Sequence, residues 1–317
     1  ILVLVGGVMI YASTVLLGDL KTTTITKDKT ELGISEETKS EAGITNIALF
    51  GVDARDYDGG TFAGRSDAIM VMSIDNVHHK VKLTSIMRDV RVYMGDGSPY
   101  DSGYDKLNHA YMYGGPEQAI RTINQNFGLD IQDYVTVNFA SMAKIVDAFG
   151  GVNIDLTEEE VEQVNINMRD LAATSPDSMA GDVSTYAPLS AGEGVLLNGD
   201  EAVAYGRIRA IDNDNGRVER QQEVLSALLS KASSISKLEY PSIIQQLAPL
   251  CETSLTFDKM IGLAQIALTG FDIERLSIPS DVEGYASDYC EGGGWMWTYD
   301  TDVAAQHIHE FIYEDEN

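Results

Sequence analysis

Short apolar runs separated by polar turns predict a sheet at the start of the globular part of the chain. The run NIALFGVD begins at Asn46 and ends in Asp53, and the runs AIMVMSID and KVKLTSIM follow it. Runs of this length, rich in Val, Ile and Met, are typical of buried strands. The second and third runs flank a short turn at His78 and His79, so we predict that they form an antiparallel hairpin.

Helical periodicity and capping residues predict helices between these and further strands. A helix is predicted from near Pro116 to Asn126, because proline suits the first turn and Gly128 follows the end. Asn198 is predicted to cap a short helix, and the segment after Gly216 continues as a longer one with an apolar side. Further helices are predicted at SMAKIVDAF, after Thr157, and over residues 240–249, 258–268 and 302–313, and further strands at DYVTVNFAS, VNIDL, 253–256 and 274–278.

Two stretches lack periodicity and are predicted to be loops. Residues 92–115 carry many Gly, Tyr and Asp, and residues 170–192 are rich in Ser, Ala, Gly and Pro. The first is long enough to be a functional loop. Helices that alternate with strands, together with a hairpin, predict a three-layer α/β/α domain with a central mixed sheet. We expect it to cover residues 46–317, although residues 236–317 match no motif.

The first 18 residues, ILVLVGGVMIYASTVLLG, are predominantly apolar and carry no charged side chain. Such a stretch is typical of a transmembrane helix. A signal-peptide core is the alternative, but no small-residue cleavage site is convincing. We therefore expect residues 1–18 to be a transmembrane anchor truncated at its cytoplasmic side, with the rest outside the cytoplasm. Residues 19–45 turn polar and are predicted to be a linker.

The net charge of -27 argues against a nucleic-acid partner, whose phosphates the chain would repel. An anionic substrate must then be held by a local cationic patch. Only two cysteines occur, Cys251 and Cys290, and outside the cytoplasm such a pair favours a disulfide over a metal site, with two free buried thiols as the alternative. Without CxxC, HExxH or Cys/His clusters, zinc or thiol chemistry is not expected.

The cationic patch is predicted in RIRAIDNDNGRVERQQ, residues 207–222, which holds four of the chain's eleven arginines. Arg207 and Arg209 are two apart, so in an extended segment they project to the same side. After a turn at residues 212–216, Arg217, Arg220 and Gln221 share one helix face. This pattern predicts a concave pocket for a polyphosphate and a divalent metal, and the alternative is a lattice of surface ion pairs.

Charged residues also stand where predicted strands meet loops: Asp53, Arg65 with Asp67, Arg88 with Asp89, and Lys106. Ligands of α/β folds commonly bind at such strand ends. Aspartates without cysteines favour Mg2+ or Mn2+, and arginines favour phosphate, which they bind through two parallel hydrogen bonds. Together these residues indicate phosphoryl transfer, which depends on positioning and charge neutralisation.

Five segments in this order resemble the LytR-CpsA-Psr (LCP) family of bacterial cell-wall enzymes. They are GVDARD, GRSDAIMVMSID, LTSIMRDV, KLNHAYMYGG and LNGDEAVAYGRIRAIDNDNGRVERQQ, and they span roughly residues 46–235. The predicted membrane anchor is also similar to that of the family. Five matching segments are far more specific than any single motif, so the resemblance disfavours the surface-lattice alternative.

The resemblance implies transfer of an anionic glycopolymer (teichoic acid, capsule or another secondary wall polymer) from a polyprenyl-pyrophosphate carrier to peptidoglycan. It implies a long apolar pocket for the polyprenyl tail inside the sheet domain. It implies Asp53 and Asp67 as Mg2+ ligands, with Mn2+ possible in its place. Arg88, Arg207, Arg209 and Arg217 are expected to grip the pyrophosphate, and the substrate-binding set is expected to comprise Arg65, Lys106, Asp214, Arg220 and Gln221.

Several alternatives stay open at this point. Asp89 is expected to orient Arg88, or else to act as general base. His109 is expected to make a structural hydrogen bond, with an acid/base role as the alternative. The same pocket would also suit a polyprenyl-pyrophosphate phosphatase that uses water as acceptor. A non-catalytic envelope regulator that binds polyprenyl phosphates is the third possibility, although binding alone would not need Asp53 and Asp67.

Overall fold

The computed structural model describes residues 23–53, 62, 64–174, 189–212, 214–234, 246–256, 259–260, 263, 271–289 and 294–314. Within these ranges the strands are β1 (Ile44–Val52), β2 (Ser66–Asp75), β3 (Lys80–Ile86), β4 (Arg91–Tyr93), β5 (Tyr104–Lys106), β6 (Asp133–Asn138), β7 (Val152–Leu156), β8 (Gly192–Leu197), β9 (Glu252–Thr253), β10 (Asp272–Ile278), β11 (Ala286–Tyr289) and β12 (Trp295–Thr298). The helices are α1 (Leu107–Phe127), α2 (Phe139–Ala148), α3 (Glu158–Thr174), α4 (Gly199–Tyr205), α5 (Asp214–Ser233) and α6 (Thr301–Tyr313).

The central sheet has six strands in the order β10-β3-β2-β1-β6-β9. Strands β2 and β3 form the predicted antiparallel hairpin, in which Asp75 pairs with Lys80. Strand β1 is antiparallel to β2 but parallel to β6, and β10 is parallel to β3. The predicted mixed sheet with an antiparallel hairpin is therefore confirmed.

Alternate residues of the strands cover the two faces of this sheet, as the period of two requires. Ala48 and Phe50 of β1 join a core that includes Ile120 of α1 and Ile308 of α6. Leu49 points to the opposite face and lines a cavity closed by side chains of α2, α4 and α5. Helices thus cover both faces, and the predicted three-layer architecture is confirmed.

Residues 23–43 differ from the predicted polar linker. Leu32 is fully buried in the main core, with Ile25 and Ile34 nearly so. Backbone and side-chain hydrogen bonds also tie the segment down, including Thr26 N to Glu117 Oε2 at 3.0 Å. Three apolar side chains in this otherwise polar segment pack into the main core and hold the segment against the domain. Residues 1–18, the predicted anchor, lie outside the described residues, and none of the helices within those residues has the length and apolar character to span a bilayer.

Residues 92–115 differ from the predicted loop. They contain the strand pair β4–β5, and α1 begins at Leu107, nine residues before Pro116. The helix is interrupted at Gly114 and Gly115, and Gly115 has φ 65°, a left-handed conformation that favours glycine. The prediction therefore identified the second half of this helix and its Gly128 cap but missed its first two turns.

The other differences concern short or irregular elements. Helix α3 extends to Thr174 and residues 175–188 lie outside the described part, while the unpredicted strand β8 pairs with β7. The unpredicted hairpin β11–β12 precedes α6, which matches the predicted helix 302–313. Most of the predicted helices 240–249 and 258–268 lies outside the described residues. Cys251 carries a free thiol, and its expected partner Cys290 lies outside the described residues.

Candidate functional site

A polar cavity of about 580 Å³ opens at one edge of the central sheet. Strand β1 ends there at Val52 and β2 starts there at Ser66, because the two strands run antiparallel. Strand β3 returns to the same edge. The sheet topology therefore brings Asp53, Arg65, Asp67 and Arg88 to this edge. Together with residues from other elements, ten of the predicted site residues line the cavity: Asp53, Arg65, Asp67, Arg88, Asp89, Lys106, Arg207, Arg209, Arg217 and Gln221.

Arg88 links two carboxylates on this wall. Its Nη1 donates to Asp67 Oδ1 at 2.5 Å, and its Nε donates to Asp89 Oδ2 at 2.9 Å. Lys106 Nζ donates to the other oxygen of Asp89, also at 2.9 Å. Burial alone would raise the pKa of Asp89, but the hydrogen bonds and charges of Lys106 and Arg88 outweigh the effect of burial. The pKa of Asp89 therefore lies below its usual value. Asp89 is thus an ionised carboxylate that orients both cations.

Three of the four arginines of the 207–222 window, Arg207, Arg209 and Arg217, line the same cavity. Arg207 lies in the turn after α4 and not in the predicted extended segment, but Arg207 and Arg209 flank the fully buried Ile208 and both line the cavity. The guanidinium of Arg207 lies 4.9 Å from the ring centroid of Phe139. Arg217 is only 2% exposed although it lines the cavity, and Gln221 lies one turn further along α5. Six cationic side chains consequently face three carboxylates in a chain that is strongly acidic overall.

Arg220 does not line this cavity, in contrast to its predicted head-group role. Its Nη1 and Nη2 donate to the two oxygens of Asp212 at 3.1 and 2.7 Å, and its Nε donates to Glu160 at 2.9 Å. Because both carboxylates accept hydrogen bonds from its guanidinium, Arg220 links α5 to Glu160 of α3 and to Asp212 just before α5. These contacts indicate a structural role and not a contact with a ligand. The side chain of Asp214 lies outside the described residues.

A divalent cation fits the donor set of the cavity. Among the described residues no group of three His, Cys, Asp or Glu side chains is placed to hold a metal by itself. Asp53 and Asp67 nevertheless line the same cavity as the cations. Magnesium typically takes one or two carboxylates and completes its shell with water and substrate phosphates. Two carboxylates beside a cluster of cationic side chains match that requirement.

Four lining residues were not in the predicted site. Asn108 and His109 lie on the first turn of α1, Phe139 begins α2, and Asn167 belongs to α3. The motif KLNHAYMYGG pointed at the first two, but its assignment to a loop hid their placement on a rigid helix. No sequence signal distinguished Asn167 from other helix residues.

A second, apolar cavity of about 340 Å³ lies beneath the polar one. The sheet contributes Leu49, Met70 and Val135, and the helices contribute side chains such as Met142 and Leu228. Phe139 and Gln221 line both cavities, so the two adjoin at these residues. The long apolar pocket predicted inside the sheet domain is thus present, and it opens where the cations cluster.

Comparisons with known proteins agree with this architecture. The model of the LytR_cpsA_psr family matches residues 9–311. The polyisoprenyl-teichoic acid–peptidoglycan teichoic acid transferase TagU of Bacillus mycoides (strain KBAB4) is 29% identical over 316 residues, covering 97% of this chain and 91% of its own length. TagU of Halalkalibacterium halodurans is 31% identical over 241 residues, covering 74% of this chain and 69% of its own.

Solved structures share the fold. The crystal structure of B. subtilis TagT superposes with a TM-score of 0.66 at 22% identity, covering 92% of this chain and 99% of that one. A LytR-CPS2A-psr family protein, YwtF (TagT), with bound octaprenyl pyrophosphate lipid gives a TM-score of 0.63 at 20% identity, covering 91% and 99%. The order of motifs, the paired cavities and a family match that spans almost the entire sequence agree, and the chain belongs to the LytR_cpsA_psr family.

Proposed function

We propose that this chain is a phosphotransferase that moves an anionic glycopolymer from a polyprenyl-pyrophosphate carrier to peptidoglycan. The observation that carries the proposal is the junction of the two cavities at Phe139 and Gln221. A polyprenyl pyrophosphate has a doubly charged head and an apolar tail, and the paired cavities offer cations for one and aliphatic side chains for the other. The names of the curated relatives support a transfer to peptidoglycan.

The cationic wall would stabilise the charge that moves during transfer. As the acceptor hydroxyl attacks the glycan-bearing phosphorus, negative charge grows on the bridging oxygen of the leaving polyprenyl phosphate. Arg88, Arg207 and Arg209 line the cavity where that oxygen would lie. Donors fixed by Asp89 and by the buried Ile208 need little rearrangement as the charge develops, which is the basis of electrostatic catalysis.

We propose Asp53 and Asp67 as the ligands of a Mg2+ ion, for which Mn2+ could substitute. When bound, the ion would neutralise pyrophosphate charge alongside the arginines. Lys106, Arg65 and Gln221 line the same cavity and would contact the head group there. Because Arg220 is bound to Glu160 and Asp212, we assign it a structural role and exclude it from the head-group contacts.

We also propose that residues 1–18 form a single membrane-spanning anchor that holds the domain outside the cytoplasm. Their lack of charge over 18 residues supports this placement. An anchored enzyme would meet its carrier at the membrane surface, where a polyprenyl chain resides. Protease protection in intact cells and after permeabilisation tests the topology: cleavage of the domain in intact, wall-stripped cells is expected, and protection until permeabilisation would reject it.

Release of polyprenyl phosphate with and without peptidoglycan tests the proposed reaction. The purified protein, Mg2+ and a polyprenyl-pyrophosphate glycan are expected to release little polyprenyl phosphate until peptidoglycan is added. Equal release without the acceptor would indicate the phosphatase alternative. Tight lipid binding without turnover in either Mg2+ or Mn2+ would indicate the regulator alternative. The polymer itself, whether teichoic acid, capsule or another wall glycan, is identified by which donor is turned over.

A further inference from the structure

His109 forms a buried acid–base pair with Asp105 at the edge of the polar cavity. Its Nδ1 lies 3.0 Å from Asp105 Oδ2, and Tyr113 donates its hydroxyl to the same oxygen at 2.7 Å. Asp105 is 1% exposed and is the middle residue of β5, four residues before His109 on α1. The hydrogen bond to this buried carboxylate orients the imidazole ring.

The protonation of this pair follows from its hydrogen bonds. Burial alone would raise the pKa of Asp105, but the hydrogen bonds from His109 and Tyr113 outweigh the effect of burial. The pKa of Asp105 therefore lies below its usual value. An ionised carboxylate only accepts hydrogen bonds, so Nδ1 of His109 carries the hydrogen that it donates to Asp105. In the neutral imidazole the free lone pair is then on Nε2.

The side chain of His109 borders the polar cavity and is 16% exposed. No described residue forms a hydrogen bond with its Nε2. Its neighbour Asn108 lines the same cavity, and its buried amide oxygen has no hydrogen-bond partner among the described residues. Nε2 of His109 is an acceptor that suits a ligand that donates a hydrogen bond, such as a sugar hydroxyl.

The carboxylates of the cavity are poor alternatives as bases. Asp89 is engaged on both oxygens by Arg88 and Lys106, which lower its pKa. Asp67 is paired with Arg88, and both Asp67 and Asp53 are the proposed metal ligands. Asp89 therefore has no free oxygen with which to take a proton, whereas Nε2 of His109 forms no hydrogen bond with a described residue.

We propose that His109 is the general base of the transfer and that Asp105 is its positioning residue. The inference rests on the proposed function. Nε2 takes the proton from the acceptor sugar hydroxyl while the hydroxyl oxygen forms its bond to the glycan-bearing phosphorus. The bond from that phosphorus to the bridging oxygen breaks, and polyprenyl phosphate leaves with the electron pair. Asp105 stabilises the imidazolium, which afterwards returns its proton to solvent.

The first test uses His109→Ala and chemical rescue. General-base catalysis typically contributes 10²–10⁴-fold, so kcat is expected to fall by about 10²-fold or more while the KM for the lipid donor changes little. Added imidazole should restore part of the rate, because it can occupy the space left by the side chain. A variant that has merely misfolded would not respond to imidazole.

The matched control is His78→Ala. His78 pairs with Asp75 at 2.7 Å in the β2–β3 turn, so it reproduces the aspartate–histidine contact away from the cavity. It is expected to transfer at the wild-type rate with or without imidazole. Wild-type transfer by His109→Ala, or loss of transfer without rescue, would overturn the assignment of His109.

The second test is the pH dependence of kcat for wild type and His109→Gln. The pH profile of His109→Gln is expected to differ from that of the wild type, because a general base acts only when it is unprotonated and glutamine cannot take up the proton. The variant leaves the other titratable and charged groups of the cavity and of the histidine pair unchanged, so a difference between the profiles belongs to His109. These groups are Asp105, Tyr113, Asp53, Arg65, Asp67, Arg88, Asp89, Lys106, Arg207, Arg209 and Arg217.

Identical profiles would overturn the proposal. The tests also separate it from the proposed function. If the wild-type protein transfers glycan and His109→Gln does so equally well with the same pH profile, only the general base is wrong. If the wild-type protein binds the donor but transfers nothing, the proposed function itself fails.

Discussion

Arg88 Nη1 lies 2.5 Å from Asp67 Oδ1, so a cation proposed to grip pyrophosphate is paired with a carboxylate proposed to hold the metal ion. Their side chains are 21% and 18% exposed, which leaves both accessible from the cavity. A metal ion and a phosphate that bind together would satisfy both partners at once. The ion pair therefore holds the proposed phosphate-binding Arg88 beside the proposed metal ligand Asp67 when no donor is bound.

Replacing Arg88 by Ala is expected to lower the rate of glycan transfer by about 10²–10³-fold, the usual effect of removing one donor to a developing negative charge. Single-turnover transfer from a labelled lipid donor measures the change. Arg91→Ala is the matched control, because Arg91 stacks on Tyr104 at 3.6 Å and does not line the cavity. Transfer at the wild-type rate by Arg88→Ala and Arg207→Ala alike would show that the site is wrongly assigned.

Removal of divalent cations is expected to abolish transfer, and Mg2+ or Mn2+ should restore it. Asp67→Asn and Asp53→Asn should each raise the Mg2+ concentration that gives half-maximal rate, since each removes an anionic ligand. Titration of Mn2+ binding by electron paramagnetic resonance, with donor present, checks the same loss without relying on turnover. Asp101→Asn, an exposed position outside the cavity, serves as the control. Full activity of the wild-type protein in a chelator would contradict the metal site.

Filling the apolar cavity is expected to weaken lipid binding. Ala68 lines that cavity and lies against Gly51, so Ala68→Phe would occupy its interior. The affinity for a polyprenyl pyrophosphate should fall at least 10-fold, while binding of inorganic pyrophosphate should stay unchanged. Val282→Phe, at a position 62% exposed, is the control for added hydrophobic surface. An equal loss for both ligands would mean that Ala68→Phe distorts the polar cavity instead.

Arg220 should matter for stability more than for chemistry. It is 7% exposed and bound to two carboxylates, and removing one partner of a buried ion pair typically costs about 3–5 kcal/mol. Arg220→Ala is therefore expected to lower the free energy of unfolding in urea by that order, with kcat preserved at low temperature. A variant with wild-type stability and a greatly reduced kcat would show that Arg220 acts in the binding site and that its structural assignment is wrong.

The same ion pair predicts a pH dependence of stability. Burial alone would raise the pKa of Glu160, but a backbone hydrogen bond from Thr157 and the contacts with Arg220 outweigh the effect of burial. The pKa of Glu160 therefore lies below its usual 4.5. A carboxyl whose pKa is lowered by folding stabilises the protein above the pKa of the unfolded chain and loses that contribution as the pH falls through the folded value. The difference in unfolding free energy between wild type and Glu160→Gln should thus be largest near neutral pH and shrink below about pH 4.5. A difference that is independent of pH would exclude this ion pair as its source.

Much of the fold and most of the site followed from local sequence patterns. The strand NIALFGVD delivers Asp53 to the sheet edge because its apolar run ends there, and the hairpin brings Asp67 and Arg88 to the same edge. Arg207 and Arg209 face one way because the residue between them is buried. The strand ends follow from the period of two and the direction of a chain reversal, whereas a turn after α4, and not the predicted extended segment, places Arg207 and Arg209.

The remainder depended on contacts between distant segments. Arg220 shares a helix face with Arg217, but Glu160 of another helix turns it away from the cavity. His109 gained its role from the helix that begins at Leu107, which the glycine pair at residues 114–115 concealed. Residues 23–43 have the composition of a linker, and only the core that receives Leu32 makes them part of the domain.

A crystal structure of the protein with a polyprenyl pyrophosphate tests the central claim most directly, because that claim is that the two cavities form one donor site. The pyrophosphate is expected between Arg88 and the arginines Arg207 and Arg209, with the polyprenyl chain passing Phe139 and Gln221 into the cavity lined by Leu49 and Leu228. A pyrophosphate bound away from these arginines, or a polyprenyl chain lying outside the apolar cavity, would contradict it.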